Sequence, residues 1–451
     1  INKGKDESKM EKSEDFSKKS NDIENDSKKV NMENKLNNEK KIKDYKILNM
    51  ILIIVLAVVS ETNFSFQAGM QKIIFLLIAA IGMICYMGGT RKQFYDKMFV
   101  DIIYMSVPFL FAFLYTLFIV IYNNKFHLNI RTQAFTTSVY AVVQMCFAAT
   151  IIYIYKEKAI DLVFSYIVSS YCITIVMTIR SLGQAPLSNL LERNDVGTAV
   201  VPLMLYYIFL IFYEKQKLKM NYVKILILMI IFILCGKRSA FVGFAIGIGV
   251  IFFISVNLKN KYQFCKVLAQ VVLLILFAYI IIVHSGILDT VCDGLGISSQ
   301  GRLYVWSWFK NQYNISPFYF GKGLQYVHLY MEAGIAEYGS KTSMVSNFGY
   351  LHNSILQIFI ELGFWGFFLW FIFLLQIYPK RIRKKYGVNT YYLSMILIIS
   401  MVFLFMTDNV LTYPVYQTTT YITLFSYPVL NFQRRGKNQN ETLCINSSSS
   451  I

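Results

Sequence analysis

From residue 46 onwards, the sequence consists largely of apolar runs of 15 to 26 residues, separated by short polar segments. A helix needs roughly 20 apolar residues to cross the hydrocarbon core of a bilayer. Only 16% of the residues are charged, whereas soluble domains average about 25%. This pattern excludes a soluble globular enzyme, and it predicts an all-α polytopic membrane protein.

Twelve of the runs are candidate membrane-spanning helices. They lie near residues 46–60, 72–90, 98–122, 132–155, 160–179, 196–213, 220–236, 239–257, 267–285, 353–378, 390–408 and 413–430. The predicted organisation is therefore a polar tail, nine spans, a large connection, three spans and a second tail. These parts correspond to residues 1–46, 47–285, 286–350, 351–430 and 431–451.

The first 46 residues differ sharply from the rest, because they contain 13 Lys, 11 acidic residues and only nine hydrophobic ones. Such a segment cannot bury enough apolar surface to offset the entropy of an ordered chain, so we expect it to be disordered. It is too long and too acidic for the charged region of a secretory signal peptide. Its net charge is only +2, which leaves +16 of the formal +18 with residues 47–451.

The basic residues predict the orientation of the chain in the cytoplasmic membrane. With a cytoplasmic N-terminus, the cytoplasmic connections and the C-terminal tail contain 20 Lys and Arg, and the short outer connections contain seven. Cytoplasmic loops of membrane proteins are enriched in Lys and Arg. An even number of spans then places both termini in the cytoplasm. Nucleic-acid binding is not expected, because no binding motif accompanies the basic charge.

Two features of the predicted outer side point to function. The connection 286–350 is much longer than the others and is rich in aromatic residues. In addition, arginines lie on this side although topology disfavours them there, and all four histidines accompany them. These residues are Arg131, Arg180, Arg193, Arg238, Arg302, His127, His284, His328 and His352. A planar guanidinium suits bidentate binding of phosphate, so the pattern predicts an extracytoplasmic site for a lipid-linked phosphate or pyrophosphate. The alternative is pairing with lipid headgroups or with nearby acidic residues.

Three local motifs narrow the site. The segment GKRS places Lys237 and Arg238 at the start of a span, where the helix N-terminus adds N–H donors. The segment GRLYVWSW places Arg302 and Trp306 four residues apart, on one face of a predicted helix. The segment LHNS places His352 at the mouth of the tenth span, and the next two residues, Asn353 or Ser354, are expected to cap that helix.

Acidic residues in and beside the last spans have two possible roles. Glu361 lies nine residues beyond His352, about 13 Å along the helix. An ionisable group at that depth is a functional candidate, but it could equally brace the bundle by pairing with Lys or Arg. Asp408 and Asn409, at the end of the eleventh span, admit the same two interpretations.

The order of these motifs resembles the O-antigen ligase and O-antigen polymerase superfamily. The elements are GKRS, GR followed by Trp306, FGKG, and HNSILQIFIELGFWG, and the resemblance covers roughly residues 195–375. It implies a C-type glycosyltransferase architecture that acts outside the cytoplasmic membrane on undecaprenyl-pyrophosphate-linked glycans.

The resemblance also implies roles for individual residues. Arg238 and Arg302 match the arginines that hold the pyrophosphate, and His352 matches the base. Lys237 stands where the family usually has Ser, and it is expected to add a cation to the same site. Arg193 is a further candidate pyrophosphate ligand, and the supporting residues are Asn194, Trp306, Asn353 and Glu361.

The implied reaction is an inverting glycosyl transfer that needs no metal or other cofactor. We expect a polymerase that joins lipid-linked repeat units into capsular polysaccharide, exopolysaccharide or O-antigen. The abundance of Lys, Asn, Ile, Tyr and Phe is typical of an AT-rich genome, and it favours a Gram-positive source without lipopolysaccharide. The expected partners are donor and acceptor lipid-linked glycans and membrane lipid, with a flippase and a chain-length regulator as further candidates.

Two other functions stay open. A ligase would move finished lipid-linked glycan to a surface acceptor. A polysaccharide flippase, another transporter or a non-catalytic scaffold would belong to a different class. Many transporter folds are built from internal repeats, and none is visible in this sequence, so the enzyme is favoured.

Overall fold

The computed structural model describes residues 67–88, 93–123, 130–180, 194–216, 218–256, 260–296, 301–338, 351–410 and 413–448. Within these ranges every regular element is helical, which confirms the predicted all-α class. The predicted tail at 1–46 and the first predicted span at 46–60 lie outside the described residues.

Within the described residues, nine longer helices precede the large connection. They are α1 (Gln67–Gly88), α2 (Gln93–Ile103), α3 (Val107–Asn123), α4 (Ile130–Tyr155), α5 (Ala159–Arg180), α6 (Asn194–Phe212), α7 (Lys219–Leu234), α8 (Arg238–Ser255) and α9 (Lys261–Ser285). Short 3₁₀ turns join α2 to α3 and α4 to α5. The run predicted as one span at 98–122 is therefore two helices joined by a turn.

The predicted large connection is itself partly helical, as its aromatic content indicated. It contains α10 (Ile287–Gly294), α11 (Arg302–Trp308) and α12 (Tyr326–Tyr338). In the described ranges 351–410 and 413–448, four helices follow it: α13 (Ser354–Ile372), α14 (Tyr378–Tyr386), α15 (Val388–Thr407) and α16 (Pro414–Ser448). A π-helical turn, Phe373–Ile377, joins α13 to α14.

Six helical stretches in the described part are long and apolar enough to cross a membrane. They are Lys97–Val120, Ala134–Ile173, Arg238–Ser255, Lys261–Ser285, Ser354–Tyr386 and Val388–Thr407. Two shorter apolar helices, Ile74–Ile84 and Val196–Phe212, accompany them. An all-α, multi-pass membrane protein is thus supported, and the count of twelve spans stays a prediction.

Glycines in the segment GFAIGIG allow α8 to pack closely between two other helices. A Cβ atom at Gly243 would lie 2.6 Å from Leu404 on α15, and one at Gly247 would lie 2.5 Å from Leu205 on α6. Small residues one helical turn apart allow helix backbones to approach each other. Since α8 and α15 run in opposite directions, this packing brings the start of α8 to the end of α15.

One end of the bundle collects the ends of four helices: the starts of α8 and α13 and the ends of α9 and α15. On α9, the hydroxyl of Tyr279 donates to the carbonyl of Met406 on α15 (2.6 Å) and accepts from Nδ2 of Asn353, just before α13 (2.8 Å). We call this the site end. The chain leaves it at the end of α9 and returns to it at Leu351, so the whole connection between these points begins and ends on one side.

A charged cluster fixes the opposite end of the bundle. The carboxylate of Asp101 on α2 is completely buried. It accepts hydrogen bonds from Nε of Arg381 (2.7 Å), Nζ of Lys385 (2.7 Å) and the hydroxyl of Tyr386 (2.8 Å). The basic helix α14 is therefore held against α2, and its charge is partly neutralised there.

Candidate active site

His352 occupies a constrained position immediately before α13. Its backbone φ is +52°, a left-handed conformation that residues other than glycine seldom adopt. The residues on both sides are held in place. Nε1 of Trp306 donates to the carbonyl of Leu351 (2.8 Å), and the N–H of Asn353 donates to Oδ1 of Asn409 (3.1 Å). The backbone conformation of His352 is thus imposed by its neighbours.

The predicted helix cap next to His352 is confirmed. Oδ1 of Asn353 accepts a hydrogen bond from the N–H of Leu356 (2.9 Å). The side chain of an N-cap residue satisfies one of the N–H groups that have no partner in the first turn of a helix. Asn353 is fully buried, so this bond fixes both the start of α13 and the position of the preceding histidine.

Asp408, at the end of α15, is the acidic partner of His352. Nδ1 of His352 lies 3.5 Å from Oδ1 of Asp408, at the long limit of a hydrogen bond. The same Oδ1 accepts from the hydroxyl of Tyr413 (3.0 Å) and from the N–H of Asn409 (2.9 Å). The backbone carbonyl of Asp408 accepts from the N–H and the hydroxyl of Ser354 (3.2 and 2.9 Å).

The other carboxylate oxygen of Asp408 binds the start of α8. Nζ of Lys237 lies 2.6 Å from Oδ2, and the hydroxyl of Ser239 donates to the same oxygen at 3.2 Å. Lys237 and Asp408 are both buried. A Cβ atom at Gly197 on α6 would lie 3.2 Å from Cβ of Lys237, so the first turn of α6 borders the site as well.

The electrostatics keep Asp408 ionised. Burial acts to raise the pKa of its carboxyl group, but the close contact with His352 and the charge of Lys237 outweigh burial. The net effect holds the pKa of Asp408 well below its ordinary value. A permanently negative group therefore lies beside the imidazole of His352.

Arg302 reaches the same place from the large connection. Its Nη1 donates to the carbonyl of Thr407 at 3.1 Å, one residue before Asp408. Arg302 is the first residue of α11, and Trp306 on the same helix binds the carbonyl of Leu351. Their predicted location on one helical face is confirmed, because both side chains bond to the segments that flank the His352–Asp408 pair.

The structure thus brings together most of the predicted site residues. Lys237, Arg302, Trp306, His352 and Asn353 converge around residues 407–409. Lys237 was predicted to add a cation for pyrophosphate, whereas here its charge balances that of Asp408.

The remaining predicted residues have other positions. Arg238 follows Lys237 on the first turn of α8, and its side chain is exposed. Asn194 begins α6, and Arg193 lies outside the described residues. Glu361 is further along α13, where its carboxylate accepts from Nε2 of Gln357 and from the N–H of Val327 (both 3.2 Å).

Four site residues were not assigned from the sequence. Asp408 was recognised only as ambiguous, and Ser239, Tyr279 and Tyr413 were not singled out. Ser239 follows the two basic residues of GKRS, and Asp408 ends an apolar run, so both carry a weak sequence signal. Tyr279 carries none, because a tyrosine within an apolar helix is indistinguishable from an ordinary packing residue.

Comparison with known protein families adds independent support. Residues 223–371 match the family model Wzy_C, described as O-antigen ligase. The matched segment is therefore similar to the O-antigen ligase and polymerase superfamily. It contains Lys237, Arg238, Arg302 and His352, whereas Asp408 lies beyond it. A search of curated proteins finds no match to the chain.

Proposed function

We propose that this protein is a polymerase that joins lipid-linked oligosaccharide repeat units at the outer face of the cytoplasmic membrane. The observation that carries the proposal is the convergence of His352, Asp408 and Arg302 where membrane-type helices end. A site at this position can receive a reactant whose polyprenyl chain stays in the bilayer. The basic helix α14 lies at the other end of the bundle, which supports an extracytoplasmic site under the positive-inside rule.

The proposed base is His352. Its Nδ1 faces the ionised Asp408, so Nε2 is the nitrogen that takes the proton from the acceptor sugar hydroxyl. Asp408 holds the ring and stabilises the imidazolium that forms, as the acid of a hydrolase triad does. The hydroxyl oxygen attacks the anomeric carbon of the donor from the side opposite the leaving group, which inverts that carbon. A positioned base of this kind typically contributes 10²–10⁴-fold to the rate.

The proposed electrostatic catalysts are arginines. As the bond between the anomeric carbon and the pyrophosphate oxygen breaks, its electron pair moves to undecaprenyl pyrophosphate. Arg302, fixed by the carbonyl of Thr407, and the exposed Arg238 supply guanidinium groups for that developing charge. Preorganised donors in such positions are worth about 10²–10³-fold each.

A ligase is the second candidate, because the matching family model is described as O-antigen ligase. Polymerase and ligase would share the same chemistry at the donor sugar, so His352 and Arg302 would have the same roles in both. They differ in the acceptor: a second lipid-linked repeat unit for the polymerase, and a surface molecule for the ligase.

The size of the glycan product distinguishes these functions. We expect the variant His352→Asn to keep the fold, since asparagine tolerates the left-handed backbone better than most residues, and to stop transfer. Cells carrying it should accumulate single lipid-linked repeats and display no long glycan. Long glycan that is made but stays unattached would identify a ligase.

One result would contradict the proposed roles of His352 and Arg302. Full-length, attached glycan made by His352→Asn and by Arg302→Ala would overturn the proposed chemistry altogether. A matched control is His328→Asn. His328 is on α12 and pairs with Glu332 at 3.1 Å, so its replacement should leave glycan length unchanged.

A further inference from the structure

Helix α13 is interrupted within the membrane-type stretch Ser354–Tyr386. Gly363 has φ +69° and ψ −171°, which are not helical angles. In a continuous helix, the N–H of Phe364 would bond to the carbonyl of Ile360. An interruption releases such backbone groups, and unpaired backbone groups at membrane depth cost several kcal/mol each. The released groups must therefore find other partners.

A segment of the large connection supplies these partners. The N–H of Phe364 donates to the carbonyl of Tyr319 at 2.8 Å. The carbonyl of Ile360 accepts from the N–H of Lys322 at 3.0 Å, and the carbonyl of Glu361 accepts from the N–H of Gly323 at 2.8 Å. Residues Tyr319–Gly323 thus replace the helical hydrogen bonds that the interruption removes.

The fit between the two segments requires glycine on both sides. Gly321 has φ +90°, and a Cβ atom there would lie 2.5 Å from the backbone oxygen of Glu361. A Cβ atom at Gly363 would lie 2.3 Å from the backbone oxygen of Tyr319. Both contacts are with backbone atoms, so neither can be relieved by turning a side chain.

Helix α3 binds the same segment from another direction. The hydroxyl of Tyr115 donates to the carbonyl of Phe320 (2.9 Å), and the N–H of Leu324 donates to Oγ1 of Thr116 (2.8 Å). Both α3 residues lie within the membrane-type stretch Lys97–Val120. Contacts with two separate spans, α3 and α13, therefore place residues 319–324 against the bundle, away from the site end and towards the middle of these helices.

The position of Glu361 along α13 gives the depth of residues 319–324 relative to the site end. Glu361 is seven residues from Ser354, about 10 Å along a helix. The segment reaches this depth and then returns to the site end, where the chain continues to His352. At this level Phe318 is 83% exposed, Phe320 48% and Trp365 53%. Apolar side chains that project from the bundle at membrane depth can be covered by acyl chains.

Glu361 holds the segment at its far end. Its completely buried carboxylate accepts from the N–H of Val327, in the first turn of α12, and from the backbone of Gln325. A carboxylate at a helix N-terminus is stabilised by the N–H groups there. This contact joins the membrane-type helix α13 to a helix of the connection.

We infer that residues 317–324 form a re-entrant segment that enters the acyl-chain layer, with Phe318 and Phe320 in contact with lipid and Glu361 as the buried carboxylate that holds the segment in place. The inference is independent of the proposed reaction, because it rests on the hydrogen bonds across the interruption of α13. It makes the segment a lipid-contacting part of the protein rather than an aqueous loop.

Tryptophan quenching in lipid vesicles tests the inference. The full-length variant Phe318→Trp is compared with Tyr304→Trp, a substitution on α11 at a residue that is 49% exposed. Wild-type emission is subtracted from both. We expect phosphatidylcholine brominated on its acyl chains to remove most of the added emission at position 318, and aqueous iodide to have little effect there. Position 304 should show the stronger iodide quenching. Iodide quenching at 318 without quenching by brominated lipid would overturn the inference.

Glu361 is tested in the Phe318→Trp background. Glu361→Gln keeps an acceptor oxygen for the N–H of Val327, so lipid quenching at 318 should persist. Glu361→Ala removes the acceptor, and iodide quenching at 318 should rise. If Glu361→Ala leaves both signals unchanged, Glu361 does not hold the segment, and that part of the inference is wrong. Since both measurements are spectroscopic, they do not depend on whether the variants remain active.

Discussion

The ammonium of Lys237 and the carboxylate of Asp408 lie 2.6 Å apart and are both buried, which ties the start of α8 to the end of α15. A buried ion pair is strongly destabilised when only one partner is removed, because the remaining charge is left without compensation. The same carboxylate faces His352 through its other oxygen. Asp408 therefore both holds α8 against α15 and supplies the negative charge beside the proposed base.

Replacement of Asp408 by Asn should lower both stability and activity. We expect the free energy of unfolding at pH 7 to fall by about 3 kcal/mol, because Lys237 stays buried without a counter-charge. Glycosyl transfer should fall by at least about 10²-fold, because His352 loses the anion that stabilises its protonated form. Thermal unfolding in detergent and the rate of polymer formation measure the two effects.

The stability difference between wild type and Asp408→Asn should become smaller in acid. The pKa of Asp408 is lower in the folded protein than in the unfolded chain, so its contribution is complete above the unfolded value of about 3.9. It is lost as the pH falls towards the folded value. The difference should thus shrink as the pH falls below about 5. A difference that grows below pH 5 would contradict this assignment.

Arg302→Lys tests the geometry of the guanidinium rather than its charge. A lysine could still donate to the carbonyl of Thr407, but it cannot present two parallel N–H donors to a phosphate. We expect transfer to fall by about 10²-fold with little change in unfolding temperature. Arg383→Lys is the matched control, since Arg383 lies at the opposite end and stacks on Tyr262 at 3.7 Å. Equal rates in the two variants would exclude bidentate binding by Arg302.

Gly321→Ala and Gly296→Ala should differ in their effect on stability. Both glycines have positive φ, but a Cβ atom at Gly296 meets nothing within 4 Å. Gly296→Ala should therefore cost only the strain of a left-handed residue, about 1 kcal/mol. Gly321→Ala adds a clash with the backbone of α13 and should cost at least about 3 kcal/mol. Denaturant unfolding in detergent compares them, and similar losses would show that the two segments are not tightly fitted.

The cluster around Asp101 should behave non-additively. After Arg381→Ala or Lys385→Ala, the buried carboxylate keeps one cation, so each single variant should lose about 1 kcal/mol. The double variant leaves it with Tyr386 alone among the three described donors and should lose more than the sum, about 3 kcal/mol or more. A double-mutant cycle from unfolding midpoints measures the coupling. Strict additivity would mean that the two cations act independently.

Much of the fold could be predicted from the sequence because membrane helices have a strong compositional signal. Eleven of the twelve predicted runs correspond to helices in the described residues. The interruption at Gly363 could not be predicted, because its backbone groups are satisfied by residues more than 35 positions away. The motif FGKG indicated a turn, but not that the turn would lie against α13.

The candidate site was predicted where residue type alone carries the chemistry. His352, Arg302 and Lys237 were recognisable because they stand in the motifs LHNS, GRLYVWSW and GKRS on the predicted outer side, and Asn353 was recognisable as a helix cap. The role of Asp408 was not, because an acid at the end of a span is common and its partners come from the start of α8, from His352 just before α13 and from Tyr413 after α15. Only the packing of α8 against α15 brings them together.

The hydrogen bonds between Tyr319–Gly323 and the interruption of α13 limit which segments of this protein can be exchanged with those of relatives in a chimera. A connection transplanted between relatives to alter acceptor preference would leave carbonyl and N–H groups of the recipient helix without partners. A working chimera should therefore exchange residues 317–324 together with residues 360–364. For protein engineering, the unit of exchange is a loop and the helix that it completes.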